Sequence, residues 1–234
     1  MPQGPSDMSE PEANRLDPRF DELPVALPIF PLSAVLLLPK AQLPLNIFEP
    51  RYLAMVDHAL KHDRLIGMIM PREDLTGIRM GDSPVYPLGC AGRIVSFTET
   101  EDGRYLITLQ GLIRFDVKEE LHADAGFRRV TPDYRSYRAD LEQPEEEEDF
   151  FDRKRLLSNL QRYFDVKGIS ADWEAIEEAP GERLITSLAM ACPFDSLEKQ
   201  ALLQAPDNTA RAETLIRLLE MAGGEGEGSS TRAH

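Results

Sequence analysis

The residues best spaced for chemistry are His58 and His62, four apart on a segment that reads as a helix. Imidazoles at i and i+4 share a helix face and can chelate a metal. The intervening Ala59-Leu60-Lys61 lacks the glutamate that zinc hydrolases place between such a pair. At 100° per residue the two histidines also point roughly opposite the apolar stripe of Leu53, Val56 and Leu60, so no metal site is expected. Ser196 and Lys199, three apart, read as ordinary helix chemistry. Glu73-Asp74 and the acids from Glu99 to Asp102 read as solvated loops. Cys90 and Cys192 form neither a CxxC pair nor a disulfide framework, and read as two buried thiols. No GxxxxGK[ST] phosphate loop occurs. No nucleophile, base and orienting group can be grouped from the sequence. The expectation is a protein without catalytic residues, cofactor or metal.

The elements that must position these residues fall into two lobes. Tyr105, Ile107 and Leu109 alternate with Leu106, Thr108 and Gln110, and the alternation resumes after Gly111 with Ile113, Phe115 and Val117. Period-two spacing predicts a strand with one buried face. Asp102-Gly103 predicts a tight turn back to a partner strand over 92–100. Gly111, between the two alternating stretches, predicts a bulge or bend of the kind that closes a sheet into a barrel. Pro50 suits the first position of a helix that carries Leu53, Val56 and Leu60 and ends near Asp63. After residue 149 the pattern turns helical. Leu156, Leu160, Tyr163 and Phe164 share one face, and Leu184, Leu188 and Ala191 another, ended by Pro193. Asp195 with Glu198 predicts a capping box. Leu215, Leu218, Leu219 and Ala222 define a last helix stopped by Gly223. The resulting division is a disordered arm over 1–22, a β-rich lobe over 23–141, an acidic linker over 142–149, a helical lobe over 150–222 and a flexible tail over 223–234.

Charge limits the partners. The chain carries 41 acids against 26 bases, a net charge of −15, and such a surface repels phosphate backbones. Nucleic acid and anionic membrane are therefore not expected partners. The longest apolar run, Ala34 to Leu38, is far short of the roughly 20 residues that span a bilayer. The start of the chain has no basic cluster followed by an apolar stretch, so the expected compartment is the cytoplasm.

One segment is more specific than its composition. Leu27-Pro28-Ile29-Phe30-Pro31-Leu32 leads through Val35-Leu36-Leu37-Leu38-Pro39 to Pro44-Leu45-Asn46-Ile47-Phe48-Glu49-Pro50-Arg51-Tyr52. It closely resembles the opening of the Lon protease N-terminal, or substrate-binding, domain. Gly89 through Ile94, Asp102-Gly103-Arg104 and Gly111-Leu112-Ile113-Arg114-Phe115 follow in the family's order, as does Leu197-Glu198-Lys199-Gln200-Ala201-Leu202-Leu203. The resemblance covers about 23–221 and implies an α+β fold: a PUA-like β pseudo-barrel over the first lobe, then a C-terminal α-helical bundle. It further implies recognition of polypeptides, here in a stand-alone member without the ATPase and protease domains. The expected function is a non-catalytic module that binds unfolded polypeptide or a specific protein partner, as an adaptor or chaperone-like binder in protein quality control. The alternative is RNA binding by a PUA-like barrel.

Phe48, Glu49, Arg51, Tyr52, Gly111, Arg114 and Phe115 carry the family motif and are expected to be structural. Glu49 would stand at a helix N-terminus, where a carboxylate is stabilised by free N–H groups. Arg51 would pair with an acid across the barrel, and Phe48 and Tyr52 would pack beneath it. A polypeptide receptor needs an apolar groove and an open strand edge. Leu36, Leu37, Leu38 and Lys40 are the candidate lip of that groove; the competing reading makes the segment a plain core strand.

Overall fold

The computed structural model describes residues 17–72, 83–122, 126–142 and 150–224. Six strands form one sheet: β1 Leu27–Pro31, β2 Gln42–Ile47, β3 Leu65–Ile69, β4 Leu88–Glu99, β5 Tyr105–Leu121 and β6 Arg129–Asp133. Their order is β2-β5-β4-β3-β1-β6, and β6 also pairs with the far half of β5, which closes a ring. The β4–β5 hairpin turns where the sequence places it, with Gly103 at φ +77°. The expected bend at Gly111 is a bulge: Ala91 pairs with Ile113 and Gly92 with Gly111, leaving Leu112 extra. An extra residue on one strand sharpens its bend and twist. Gly111 is also required by a close approach, because a Cβ there would lie 2.0 Å from the carbonyl oxygen of Leu38.

Strand alternation separates two cores. Leu27, Ile29, Leu65, Ile69, Ala91, Ile113, Phe115 and Val130 fill the ring. Phe115 lies over Gly67 and Gly89, where added Cβ atoms would come within 2.8 and 2.7 Å of its ring. The opposite parity, including Phe30, Ile66, Met68 and Cys90, shares a second core with the helices. Leu65–Ile69 is therefore buried on both faces, which explains its unbroken apolar run.

Helix α1, Pro50–Lys61, buries Tyr52, Met55, Val56 and Ala59. The expected stripe of Leu53, Val56 and Leu60 is rotated: Leu53 and Leu60 are only half-buried, because Tyr52 takes the place beneath the helix. The helical lobe contains α2 Arg153–Lys167, α3 Trp173–Glu178, α4 Gly181–Ala191, α5 Ser196–Gln204 and α6 Asn208–Gly224. The capping box at α5 is present, with Glu198 N donating to Asp195 Oδ1 and Asp195 N to Glu198 Oε2, both at 2.8 Å. Two expectations are corrected, and one short helix is additional. Helix α6 continues past Gly223, which packs against the Arg162 side chain instead of ending the helix. The short α3 was not anticipated; Asp172 caps it by accepting from Ala175 N at 3.1 Å. Residues 17–22, expected within the disordered arm, are placed. Asp17 pairs with buried Arg93 at 2.7 Å, and Phe20 lies 4.6 Å beneath the Arg138 guanidinium. Glu73-Asp74, most of the acidic linker and the tail beyond Gly224 lie outside the described residues.

Candidate functional site

A non-strand segment, residues 32–41, joins β1 to β2 and meets the helical lobe. Ala34 and Lys40 bracket it in left-handed conformations, φ +54° and +67°. Each costs an L-residue about 1–2 kcal/mol, so the surrounding contacts must hold the segment in place. Those contacts are visible. Lys40 N donates to Gly111 O, and Gly111 N to Ala41 O, both at 2.8 Å. Ala34 N donates to Ser196 Oγ of α5 at 3.2 Å.

The candidate lip is corrected in part by burial. Leu36, Leu37 and Leu38 are 2%, 1% and 0% exposed and belong to the core shared with the helices. A run of leucines between two left-handed residues folds inward here, because the sheet at Gly92 and Gly111 leaves room for it. Lys40 is exposed as expected. The segment does border a groove, through Ala34, Val35, Leu36, Lys40 and Ala41, so Leu36 and Lys40 of the candidate lip reach it while Leu37 and Leu38 lie deeper. This groove has a volume of about 860 Å³ and runs between the lobes. Three consecutive residues of β2, Gln42, Leu43 and Pro44, line it, so a strand edge as well as a face borders the space. β2 stands at the end of the strand order. Pro44 has no N–H, which restrains pairing along this edge. Across the groove lie Arg183, Ser187 and Met190 of α4, and Lys199 of α5.

Lys199 is only 5% exposed, and its ammonium donates to Met190 O at 2.9 Å. Burial pulls its pKa below the usual lysine value. Ser196 Oγ is engaged by the Ala34 amide and Lys199 Nζ by Met190, so each member of this pair has its own backbone partner. The burial of Lys199 was missed. Its signal was legible, since Lys199 lies three and four positions before Leu202 and Leu203, on the apolar face of α5.

Arg114 ties the same lobes together a short way off. On the sheet face that carries Cys90, it pairs bidentately with Asp140, Nη2–Oδ1 at 2.8 Å and Nε–Oδ2 at 2.9 Å. Its guanidinium also donates to the carbonyls of Leu203, Ala205 and Pro206 at 3.3, 2.6 and 3.2 Å. Arg211 Nε adds a bond to Leu202 O at 3.1 Å. Two arginines thus satisfy the C-terminal carbonyls of α5, where the helix dipole favours cations. Burial, then the neighbouring Arg114, pulls the Arg211 pKa down to about 10.

The other motif residues stay apart from this groove. Tyr52 packs on Phe30 with ring centroids 4.3 Å apart. Arg51 pairs with Glu49 at 2.8 Å, two residues away, instead of across the barrel, and its guanidinium covers Tyr52 at 4.5 Å. Glu49 occupies the N-cap of α1 but makes no side-chain cap bond, because Arg51 holds its carboxylate. Phe48 is 63% exposed and does not pack beneath the helix. Phe115 is core. The His58 and His62 rings stack at 4.2 Å, and His58 also packs on Phe127 at 5.3 Å. Burial, then His62, pulls the His58 pKa below its ordinary value. Among the described residues no three His, Cys, Asp or Glu gather as metal ligands. Cys90 and Cys192 are buried free thiols, and burial pushes Cys192 up to about 12. Among the described residues no helix is long and apolar enough to cross a membrane.

Comparison with known proteins agrees with this architecture. The family model described as the ATP-dependent protease La (LON) substrate-binding domain matches residues 26–221. The chain is 27% identical over 213 residues to Lon protease of Desulfosudis oleivorans, covering 85% of the chain and 24% of that protein. It is 28% identical over 205 residues to Lon protease 2 of Myxococcus xanthus, with the same coverage of 85% and 24%. The chain therefore spans about a quarter of these curated relatives, 24% of each. Among solved structures, the Lon N-terminal domain protein from Xanthomonas campestris aligns with a TM-score of 0.54 at 24% identity, covering 82% of this chain and 97% of that one. The N-terminal domain of Mycobacterium avium complex Lon protease aligns at 0.54 and 16% identity, covering 86% and 98%. At these identities the two structures speak for the fold: an α+β architecture of β pseudo-barrel followed by helices.

Proposed function

This chain belongs to the Lon substrate-binding domain family, and from that premise we propose that it is a non-catalytic polypeptide-recognition module acting in protein quality control as an adaptor or chaperone-like binder. The match covers the substrate-binding domain of the relatives and none of their catalytic domains. The observation that carries the reading is the open groove between β2, residues 34–41 and α4. It combines apolar walls with an end strand, the two features an extended chain uses for side-chain and backbone contacts. The occupant in this reading is an unfolded polypeptide segment or an extended segment of a specific protein partner. The acidic balance of the chain speaks against the RNA-binding alternative.

The test is saturable binding of a reduced, carboxymethylated unfolded protein, measured by fluorescence anisotropy with the full chain and with Ser187→Trp. Ser187 is exposed, lies on α4 and lines the groove, so an indole there obstructs the space while leaving the core untouched. Binding that is strong in the parent and lost in Ser187→Trp supports the reading. Equal binding by both proteins, or none by either, sinks it.

A further inference from the structure

The charge of the groove opposes that of the chain. Against a net charge of −15, its lining holds Lys40, Arg183 and Lys199 and one carboxylate, Glu182. That carboxylate is occupied: Glu182 Oε1 lies 3.6 Å from Lys40 Nζ and accepts from Asn208 Nδ2 at 3.0 Å. Arg183 is exposed and has no carboxylate partner among the described residues. Lys199 is the sharper case. An ammonium has three donors, and one of them meets Met190 O. Among the described residues no carboxylate pairs with it, although the residue is only 5% exposed. The other buried cations are better served. Arg93 has Asp17, Arg114 has Asp140, and Arg211 donates to Leu202 O and Asn208 Oδ1. Burying a charge without a counter-ion is costly, and such a group at the wall of an open groove is suited to an incoming anion.

Resting on the groove reading above, we propose that the occupant is an extended, mainly apolar polypeptide segment bearing one carboxylate side chain, and that Lys199 receives this carboxylate. The apolar walls take the flanking side chains. Backbone of β2 flanking Pro44, which itself has no N–H to give, pairs with the segment on either side of the acidic residue, which suits an internal segment. The two remaining donors of Lys199 make charge-assisted hydrogen bonds to the carboxylate. Arg183, on the rim, draws the segment in by its field.

The experiment compares short labelled peptides on the full chain: a doubly capped apolar sequence with a central Glu, its doubly capped Gln twin, and the Gln twin with a free C-terminal carboxylate. The capped Glu peptide is expected to bind about tenfold more tightly than the capped Gln peptide, the scale of a hydrogen bond to a charged group. Lys199→Met should erase that difference while leaving the Gln peptide within about twofold, since the apolar contacts remain. Arg183→Gln, a surface change that leaves folding intact, should slow association of the Glu peptide roughly threefold and leave the Gln peptide unchanged. Equal binding of Glu and Gln peptides, with Ser187→Trp still blocking both, overturns the carboxylate inference and leaves the groove reading standing. A Glu preference that survives Lys199→Met overturns it too. Stronger binding of the free-acid Gln peptide than of the capped Glu peptide assigns Lys199 to a chain terminus and overturns the choice of a side chain. No binding of any peptide, or no effect of Ser187→Trp, removes the groove reading itself.

Discussion

Two buried cations stand at the same junction of the lobes in opposite conditions. Arg114 has a bidentate carboxylate and three helix-terminal carbonyls. Lys199 has one carbonyl and, among the described residues, no carboxylate. The first is closed around its charge and serves the fold. The second faces a groove and keeps donors in reserve. Burial alone does not distinguish them, since both residues are 5% exposed. What separates them is whether the surrounding donors and acceptors balance. An unbalanced buried charge in a native protein points to a role in binding, because its cost is otherwise uncompensated.

The largest expected effect breaks the closed side of this contrast. Arg114→Met takes the guanidinium away from the largely buried Asp140 carboxylate, leaving it the Arg114 backbone N–H, and removes one of the two arginines that cap α5. Removing one partner of a buried ion pair costs about 3–5 kcal/mol. Urea titration of the variant should show a loss on that scale, and loss of under about 1 kcal/mol, the range of exposed pairs, would show that the seam is ornamental. A somewhat smaller effect is expected at Gly111, which links the two regions. A methyl group there meets the backbone oxygen of Leu38, at 2.0 Å, and backbone cannot swing aside as a side-chain tip can. Overpacking of this kind costs about 1–3 kcal/mol. Gly111→Ala should shift residues 36–41 and so lower peptide capture in the groove more than it loosens the Arg114 seam. Unchanged midpoint and unchanged capture would show that the segment adapts freely.

Much of the fold was legible in the sequence because period and punctuation carry it. The hairpin, its Asp-Gly turn, the bulge at Gly111 and the capping box of α5 all follow from local rules. The site was less legible, for physical reasons. Leu36, Leu37 and Leu38 form an apolar run without period, which reads equally as lip or core. The bulged sheet beneath them draws all three into the core, and Leu36 also reaches the groove wall. Arg51 and Glu49 satisfy each other at close range, so the expected pairing across the barrel never arises. Asp140 completes the Arg114 seam from 26 residues away, a pairing that neither spacing nor composition announces. Lys199 could have been found as a cation on the leucine face of α5, had its helical neighbours been weighed above its proximity to Ser196.

The open side of the contrast gives smaller, sign-specific effects. Lys199→Met replaces an uncompensated ammonium with an apolar chain of similar length. Where buried charges are exchanged for well-packed apolar groups, stability is unchanged or rises by about 1–4 kcal/mol; with Met190 O losing one bond, the expected gain is near the low end. The pH dependence sharpens this further. Burial holds the Lys199 pKa below its ordinary value, so above that lowered pKa the unfolded chain binds more protons at this site than the native one. Its contribution to stability therefore rises with pH up to the ordinary lysine range. Cys192 works the other way in the same window, since its thiol is pushed up to about 12 and favours the native state less as the unfolded thiol ionises. Lys40, Arg183 and Glu182 also face the groove, but Lys199→Met leaves these groups and Cys192 in place. The difference in urea midpoint between variant and parent isolates Lys199. It should favour the variant at neutral pH and narrow steadily as pH climbs toward the ordinary lysine value. A gap that stays constant, or favours the parent throughout, would mean that the ammonium is already balanced and that the groove holds no reserve for an incoming carboxylate.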